Sequence, residues 1–248
     1  MNYRPILGIS NAKTTKGENI DNIDYSDLDR EITAYLTGIS YLAPHRIADS
    51  KVNLCPNATP DCIKYCLFNS GRGKFKTVKQ ARINKTKDFL QDKDLYMRSL
   101  VKDIRKVQRK ALREGLKPTI RLNGTSDIDW SKIRHKPSGK NIFEIFPSVQ
   151  FYDYTKSITR ALNNKQTNYH LTFSYTGKNL FNALCALESG INVAMVFEST
   201  LPKKFRKYTV IDGDKHDLRF LDKKGVVVGL TYKKSVKKDA YKQNLFIA

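Results

Sequence analysis

An α/β fold, a partial (βα)6 TIM-like barrel, is the architecture this sequence predicts, and three observations predict it. Six short runs rich in β-branched and aromatic residues recur along the chain, helix-like segments separate them, and polar residues with chemistry to offer collect just after the runs. Alternating β and α segments with nearly continuous apolar strands argue for a parallel sheet built from right-handed crossovers. The 248 residues suffice for a single core, because domains commonly reach about 250 residues before dividing. One domain is therefore expected: a polar lead-in over 1–31, the βα barrel over 32–235 and a tail over 236–248.

The lead-in ends in the acidic patch ENIDNIDYSDLDRE, 18–31, expected to be polar coil or a short helix. The first strand is TAYLTGISYL, 33–42, closed by the turn-forming APH; a loop with three cysteines comes next. Residues 73–115 predict helix, broken near QDKD; in its second half Leu100, Val101, Ile104, Val107, Ala111 and Leu112 form an apolar stripe and Gly115 is the stop. The later strands are TIRLNG (119–124), VQFYDY (149–154), YHLTFSY (169–175), NVAMVF (192–197) and VVVGLTY (226–232). Between them IFEIF, SITRALNN and NLFNALCALES predict helices. In the last of these, Leu180, Leu184 and Leu187 recur at helical spacing, which predicts that Cys185 is a buried core thiol.

Composition narrows the partners. Nothing approaches the roughly 18 consecutive apolar residues of a membrane span, and the N-terminus lacks the apolar core of a secretory signal, so a soluble cytoplasmic protein is expected. A net charge of +21, from 45 basic and 24 acidic residues, favours polyanions such as nucleic acid. The charge is uneven: Arg72, Lys74, Lys76, Lys79, Arg82, Lys85 and Lys87 all precede the next acid, Asp88. That run predicts either a solvated helix face or a phosphate-binding footprint, with Lys76, Lys79, Arg82 and Lys85 as its contacts.

In a parallel βα array the loops leaving the strands' C-terminal ends carry the chemistry. By that rule His45 and the cysteines follow the first strand, and NGTSD, Asn123 to Asp127, follows the second. Its glycine permits close backbone approach, and Asn123, Thr125 and Asp127 add an amide, a hydroxyl and a carboxylate; a plain Asn-Gly turn has the same composition. In FYDYTK, Asp153 or Lys156 offers acid–base chemistry and Tyr152 or Tyr154 a stacking surface, but alternation sends only one set to the site; Tyr154 and Lys156 are the expected catalytic pair. His170 is expected to be a satisfied interior histidine. Asp212, Asp214 and Asp217 surround one glycine without the order of a calcium loop, and predict a turn with capping carboxylates.

The cysteines are spaced Cys55-x6-Cys62-x3-Cys66. Four cysteines, three of them crowded, suit a reducing compartment and metal binding better than a disulfide framework. Three thiols with an open position suit an iron–sulfur cluster. With His45 as fourth ligand they suit a structural zinc, and three reduced structural thiols are the remaining alternative.

This three-cysteine loop after the first strand resembles that of the radical S-adenosylmethionine superfamily, although the superfamily spacing is C-x3-C-x2-C. The resemblance implies a cluster on Cys55, Cys62 and Cys66, S-adenosylmethionine on its open iron, and cofactor contacts from Asn123, Gly124, Thr125 and Asp127. A second resemblance covers nearly the whole chain: YLAPHR, CPNATPDCIKYCLFNSGRG, RLNGTSDI, FPSVQFYDYTK, NYHLTFSYTG and VIDGDKHDLRFLDKKGVVVGL are similar to phrases of the phage gene product eighty-eight family. It implies a phage or prophage gene product acting in a bacterial cytoplasm, and no particular reaction. Three functions are therefore expected as alternatives: an iron–sulfur enzyme modifying a nucleic acid or nucleotide, a nucleic-acid-binding protein with a structural zinc, or a small-molecule enzyme whose charge only aids solubility.

Overall fold

The computed structural model describes residues 5–9, 34–198 and 200–232; the acidic patch and the C-terminal tail lie outside them. Nine strands form one mixed, mostly parallel sheet in the order β1-β2-β3-β4-β5-β6-β9-β8-β7. In chain order these are β1 (Leu7–Gly8), β2 (Tyr35–Ser40), β3 (Lys117–Arg121), β4 (Gln150–Thr155), β5 (Tyr169–Ser174), β6 (Val193–Phe197), β7 (Lys204–Phe205), β8 (Tyr208–Asp212) and β9 (Val227–Thr231). All six expected strands are present as β2, β3, β4, β5, β6 and β9, parallel and in consecutive order. The sheet has two ends: antiparallel β1 pairs only with β2, and antiparallel β7 only with β8.

Three strands lie outside the expected set. β1 falls within the stretch expected to be lead-in, and is held because the backbone N–H groups of Ile6 and Leu7 donate to the buried Asp103 carboxylate at 2.6 and 3.3 Å. The β7–β8 hairpin turns at Arg206 and Lys207, with Arg206 at φ 55°. Two-residue hairpins normally announce themselves through Gly, Asn or Asp at such a position, and this one carries no such signal. β8 then pairs parallel with β9, so the last described strand lies between β6 and β8.

The helices cover the sheet where their apolar stripes dictate. α1 (Pro60–Lys64), with Thr59 capping the Cys62 N–H, belongs to the cysteine loop. α2 (Lys76–Gln91) and α3 (Lys93–Arg113) are the expected helical pair, separated at Asp92, whose side chain caps the Leu95 N–H. Leu100, Val101, Ile104, Val107 and Ala111 of α3 are buried against β2 and β3, and Gly115 ends the helix at φ 67°. Leu112 leaves the expected stripe and is 82% exposed, since it lies about 100° around the helix from Ala111. Short helices α4 (Ile142–Ile145) and α5 (Ile158–Leu162), then α6 (Leu180–Glu188), complete the α layer. Ala183, Ala186 and Leu187 are the buried residues of α6, whereas Cys185 is only half-buried. Among the described residues no helix is long and apolar enough to cross a membrane.

Candidate functional site

The C-terminal ends of the parallel strands open onto one cavity of about 300 Å³. Arg121 closes β3 and leads into Asn123–Asp127; Tyr154 and Lys156 stand at the end of β4; Ser174 ends β5; Val196 lies in β6; Leu230 and Thr231 end β9. Cys55, Cys62 and Cys66 join the lining from the segment after β2. The residues expected to hold a metal, to contact a cofactor and to act on substrate therefore share one cavity.

Local hydrogen bonding fixes each part. Asn123 is buried and fully used: its side-chain oxygen accepts from the Ile128 N–H at 2.9 Å and the Ser126 hydroxyl at 2.9 Å, and its amide nitrogen donates to the Ile128 carbonyl at 3.0 Å. It organises the loop, leaving backbone and neighbours to meet a ligand. Gly124 sits where a Cβ would lie 2.7 Å from both the Ser40 carbonyl oxygen and the Tyr41 ring. Gly124→Ala is expected to lower stability by about 1–3 kcal/mol through overpacking, seen as a lower midpoint in chemical denaturation. The loop is joined to the cysteines by the Asp127 N–H on the Leu54 carbonyl at 2.8 Å and by the Cys55 thiol, 3.7 Å from the Thr125 carbonyl oxygen. Asp127 pairs with Arg160 and accepts from the Lys156 N–H at 3.0 Å. It also borders a second cavity of about 740 Å³, on the wall that Arg160 shares.

Alternation in β4 resolves the FYDYTK segment. Tyr154 and Lys156 reach the cavity, while Asp153 does not line it and is completely buried, accepting from the Asn123 N–H at 2.7 Å and the Tyr169 hydroxyl at 2.9 Å. Burial pushes Asp153 up to about 7. Tyr154 is also raised, by burial and then by the Asp217 carboxylate, so it remains a neutral phenol at physiological pH. Desolvation pulls Lys156 down, but negative charge at Cys62 and the Asp127 carboxylate outweigh it, and the net direction is upward. Both expected catalytic groups are thus proton donors at neutral pH, and neither is a ready base.

The thiols carry no disulfide, and each is partly exposed. Burial pushes Cys55 up to about 11 and raises Cys66; Cys66 acts on Cys55, and Cys62 on Cys66, as neighbouring like charges would. Among the described residues, no group of three or more His, Cys, Asp or Glu side chains is arranged to hold a metal ion. The donor set itself fits an iron–sulfur cluster in kind: soft thiols on one cavity wall, with an ammonium among them. Each cluster thiolate takes a different iron, whereas zinc requires four ligands converging on one point. His45 does not line the cavity; its carbonyl accepts from the Leu54 N–H at 3.0 Å.

Sequence reasoning missed the cavity's other charged wall. Arg121 donates to Asp217 at 2.8 Å and lies 4.7 Å from the Tyr154 ring centroid, and His216 lines the same side. Behind it Arg219, wholly buried, sits 3.3 Å from the Asp222 carboxylate. The arginine inside the apolar run TIRLNG was the available signal, because a buried strand accepts a guanidinium only with a partner. Asp212 caps its turn as expected, accepting from the Asp214 N–H at 2.9 Å, whereas Asp214 reaches across to accept from the Thr231 N–H of β9 at 2.7 Å and Asp217 is the partner of Arg121; His170, expected in the interior, is only half-buried and lies 3.4 Å from the Thr172 hydroxyl.

The four basic residues of α2 do not share one free face. Lys76 is exposed, and the Lys79 ammonium lies 5.7 Å from the Phe68 ring centroid. The Arg82 guanidinium stacks on Tyr41 at 4.7 Å. Lys85 donates to the Ile6 carbonyl at 3.1 Å, and burial, followed by the Arg82 charge, pushes it down to about 8.

A family model described as Gene product 88 matches residues 6–244. No curated protein and no solved structure matches the chain.

Proposed function

We propose that this chain, which belongs to the Gene product 88 family, is a phage-encoded iron–sulfur enzyme that modifies a nucleic acid or nucleotide. One observation carries the reading: Cys55, Cys62, Cys66, the Asn123–Asp127 loop, Tyr154 and Lys156 line a single cavity at the C-terminal ends of parallel strands. Six consecutive parallel strands are also what a partial (βα)6 barrel requires.

Cys55, Cys62 and Cys66 would hold the cluster, which when bound supplies electron-transfer chemistry and, on the radical S-adenosylmethionine analogy, an open iron for that cofactor. The chain does the rest. Lys156 offsets negative charge at the thiols, the Gly124–Thr125 backbone borders the cavity beside them, and Tyr154, its hydroxyl donating to Asp217 at 3.3 Å, lends the cavity a wall that a substrate hydrogen bond would have to share. The Asp127–Arg160 pair fixes the end of the loop to the start of α5.

Protein purified without oxygen is expected to show broad visible absorption and about four irons per chain, with matching sulfide. Cys55→Ser, Cys62→Ser and Cys66→Ser should each remove most of that iron while leaving the far-ultraviolet circular dichroism unchanged. One equivalent of zinc, with no iron taken up on anaerobic reconstitution, would overturn the assignment in favour of a structural zinc site.

A further inference from the structure

The cysteine loop has an outer surface that the cluster assignment does not use. Its inner side supplies Cys62, Tyr65, Cys66 and Ser70 to the cavity lining. Its outer side, continuing to the start of α2, exposes Lys64, Arg72, Lys74, Phe75 and Lys76. Phe75 is 62% exposed, an unusual state for a large ring. Gly73 holds the turn close to the Phe68 carbonyl oxygen, which a Cβ would approach at 2.5 Å, so flanking Arg72 and Lys74 are displayed on a packed base. Among the described residues no carboxylate pairs with Arg72, Lys74 or Lys76.

Cations without carboxylates, interleaved with an exposed aromatic ring, are the elements that track single-stranded nucleic acid: the charges follow phosphates and the ring stacks a base. The cavity's size sharpens the choice. At about 300 Å³ it is at the lower limit of ligand pockets, whereas a duplex presents a major groove alone about 12 Å wide. Chemistry on a base in such a cavity requires a nucleotide that is unpaired or drawn out of its stack.

We infer that residues 64–76 form a docking rim for single-stranded nucleic acid, with Phe75 stacking a base and Arg72, Lys74 and Lys76 holding the phosphates on either side, so that an adjoining nucleotide enters the cavity. This rests on the proposed action on nucleic acid and names the form of that substrate.

The test is fluorescence anisotropy with labelled oligothymidylate, oligouridylate and a duplex of equal length, over a series of salt concentrations, on full-length protein whose iron is measured in the same preparation. Single strands are expected to bind more tightly than the duplex, and the tighter of the two single strands identifies the DNA or RNA source. Phe75→Ala should weaken single-strand binding roughly 5- to 150-fold. Arg72→Ala/Lys74→Ala/Lys76→Ala should reduce the salt slope by about 2, at roughly 0.7 per phosphate. Phe181→Ala removes a ring of α6 that is 79% exposed and does not line the cavity, and should change neither quantity. Equal affinity for duplex, or Phe75→Ala binding like the unaltered chain, would overturn the inference. Iron-free protein that still prefers single strands through Phe75 keeps the rim and removes the cluster; iron-loaded protein indifferent to Phe75 removes the rim and keeps the cluster.

Discussion

Replacing Asp222 with alanine will lower the stability of this protein by about 3–5 kcal/mol, the cost of leaving one member of a buried ion pair without its partner. Arg219 and Asp222 are both inaccessible to solvent, with the guanidinium 3.3 Å from one carboxylate oxygen and the His216 ring 3.4 Å from the other. Without the carboxylate, Arg219 keeps the His216 carbonyl and the weaker influence of the Asp217 charge. The loss should appear in urea denaturation as a lower midpoint at unchanged slope. The double replacement Arg219→Met/Asp222→Leu should recover most of it, because removing both charges removes the desolvation cost as well. A double variant no more stable than Asp222→Ala would show that the two residues act separately. Since His216 lines the cavity, the single variant should also disturb the wall that carries Arg121 and Asp217.

Asp153 will make stability fall as pH rises between about 4 and about 7. Its ordinary value is 3.8 and burial lifts it to about 7 in the folded chain. Across that interval the native state keeps a proton that the unfolded chain has released. The contribution is therefore complete below the ordinary value and is lost on approaching the folded one, at about 1.4 kcal/mol per pH unit. Other carboxylates titrate in the same range, so the effect is isolated as the difference between the unaltered protein and Asp153→Asn. The stability advantage of the unaltered protein should shrink steadily from pH 4 to pH 7 and level off above it. Parallel curves would mean that Asp153 is ionised throughout.

Much of the sheet was legible because its strands are nearly continuous apolar runs: Val193 to Phe197 and Val227 to Thr231 have few other places to go than the interior of a parallel sheet. The β7–β8 hairpin was not, because its turn is made by Arg206 and Lys207 and its strands are mostly exposed or half-exposed. The candidate site was legible by position, since loops after parallel strands meet whatever their composition. Which atoms remain available was not legible. Asn123 looks like a ligand in the sequence, but its amide is spent on its own loop and on the Asp153 carboxylate of β4. Arg121 and Asp217 are 96 positions apart, and no local pattern announces a pair formed across the sheet. The charge run over α2 hides a different kind of information: Lys85 and Arg82 meet the Ile6 carbonyl and the Tyr41 ring, partners that only the tertiary fold supplies.

The insertion of β9 between β6 and β8 bears on how the chain is made. Synthesis runs from the N-terminus, so a ribosome releases the cysteine loop, the Asn123 loop and Tyr154 long before Leu230 and Thr231, and a domain folds as a unit only once its parts are present. Until residues 227–231 arrive, β6 and β8 lack the strand that pairs with both, and the cavity lacks one wall. Every nascent chain therefore passes through an interval with its thiols present and their enclosure unfinished.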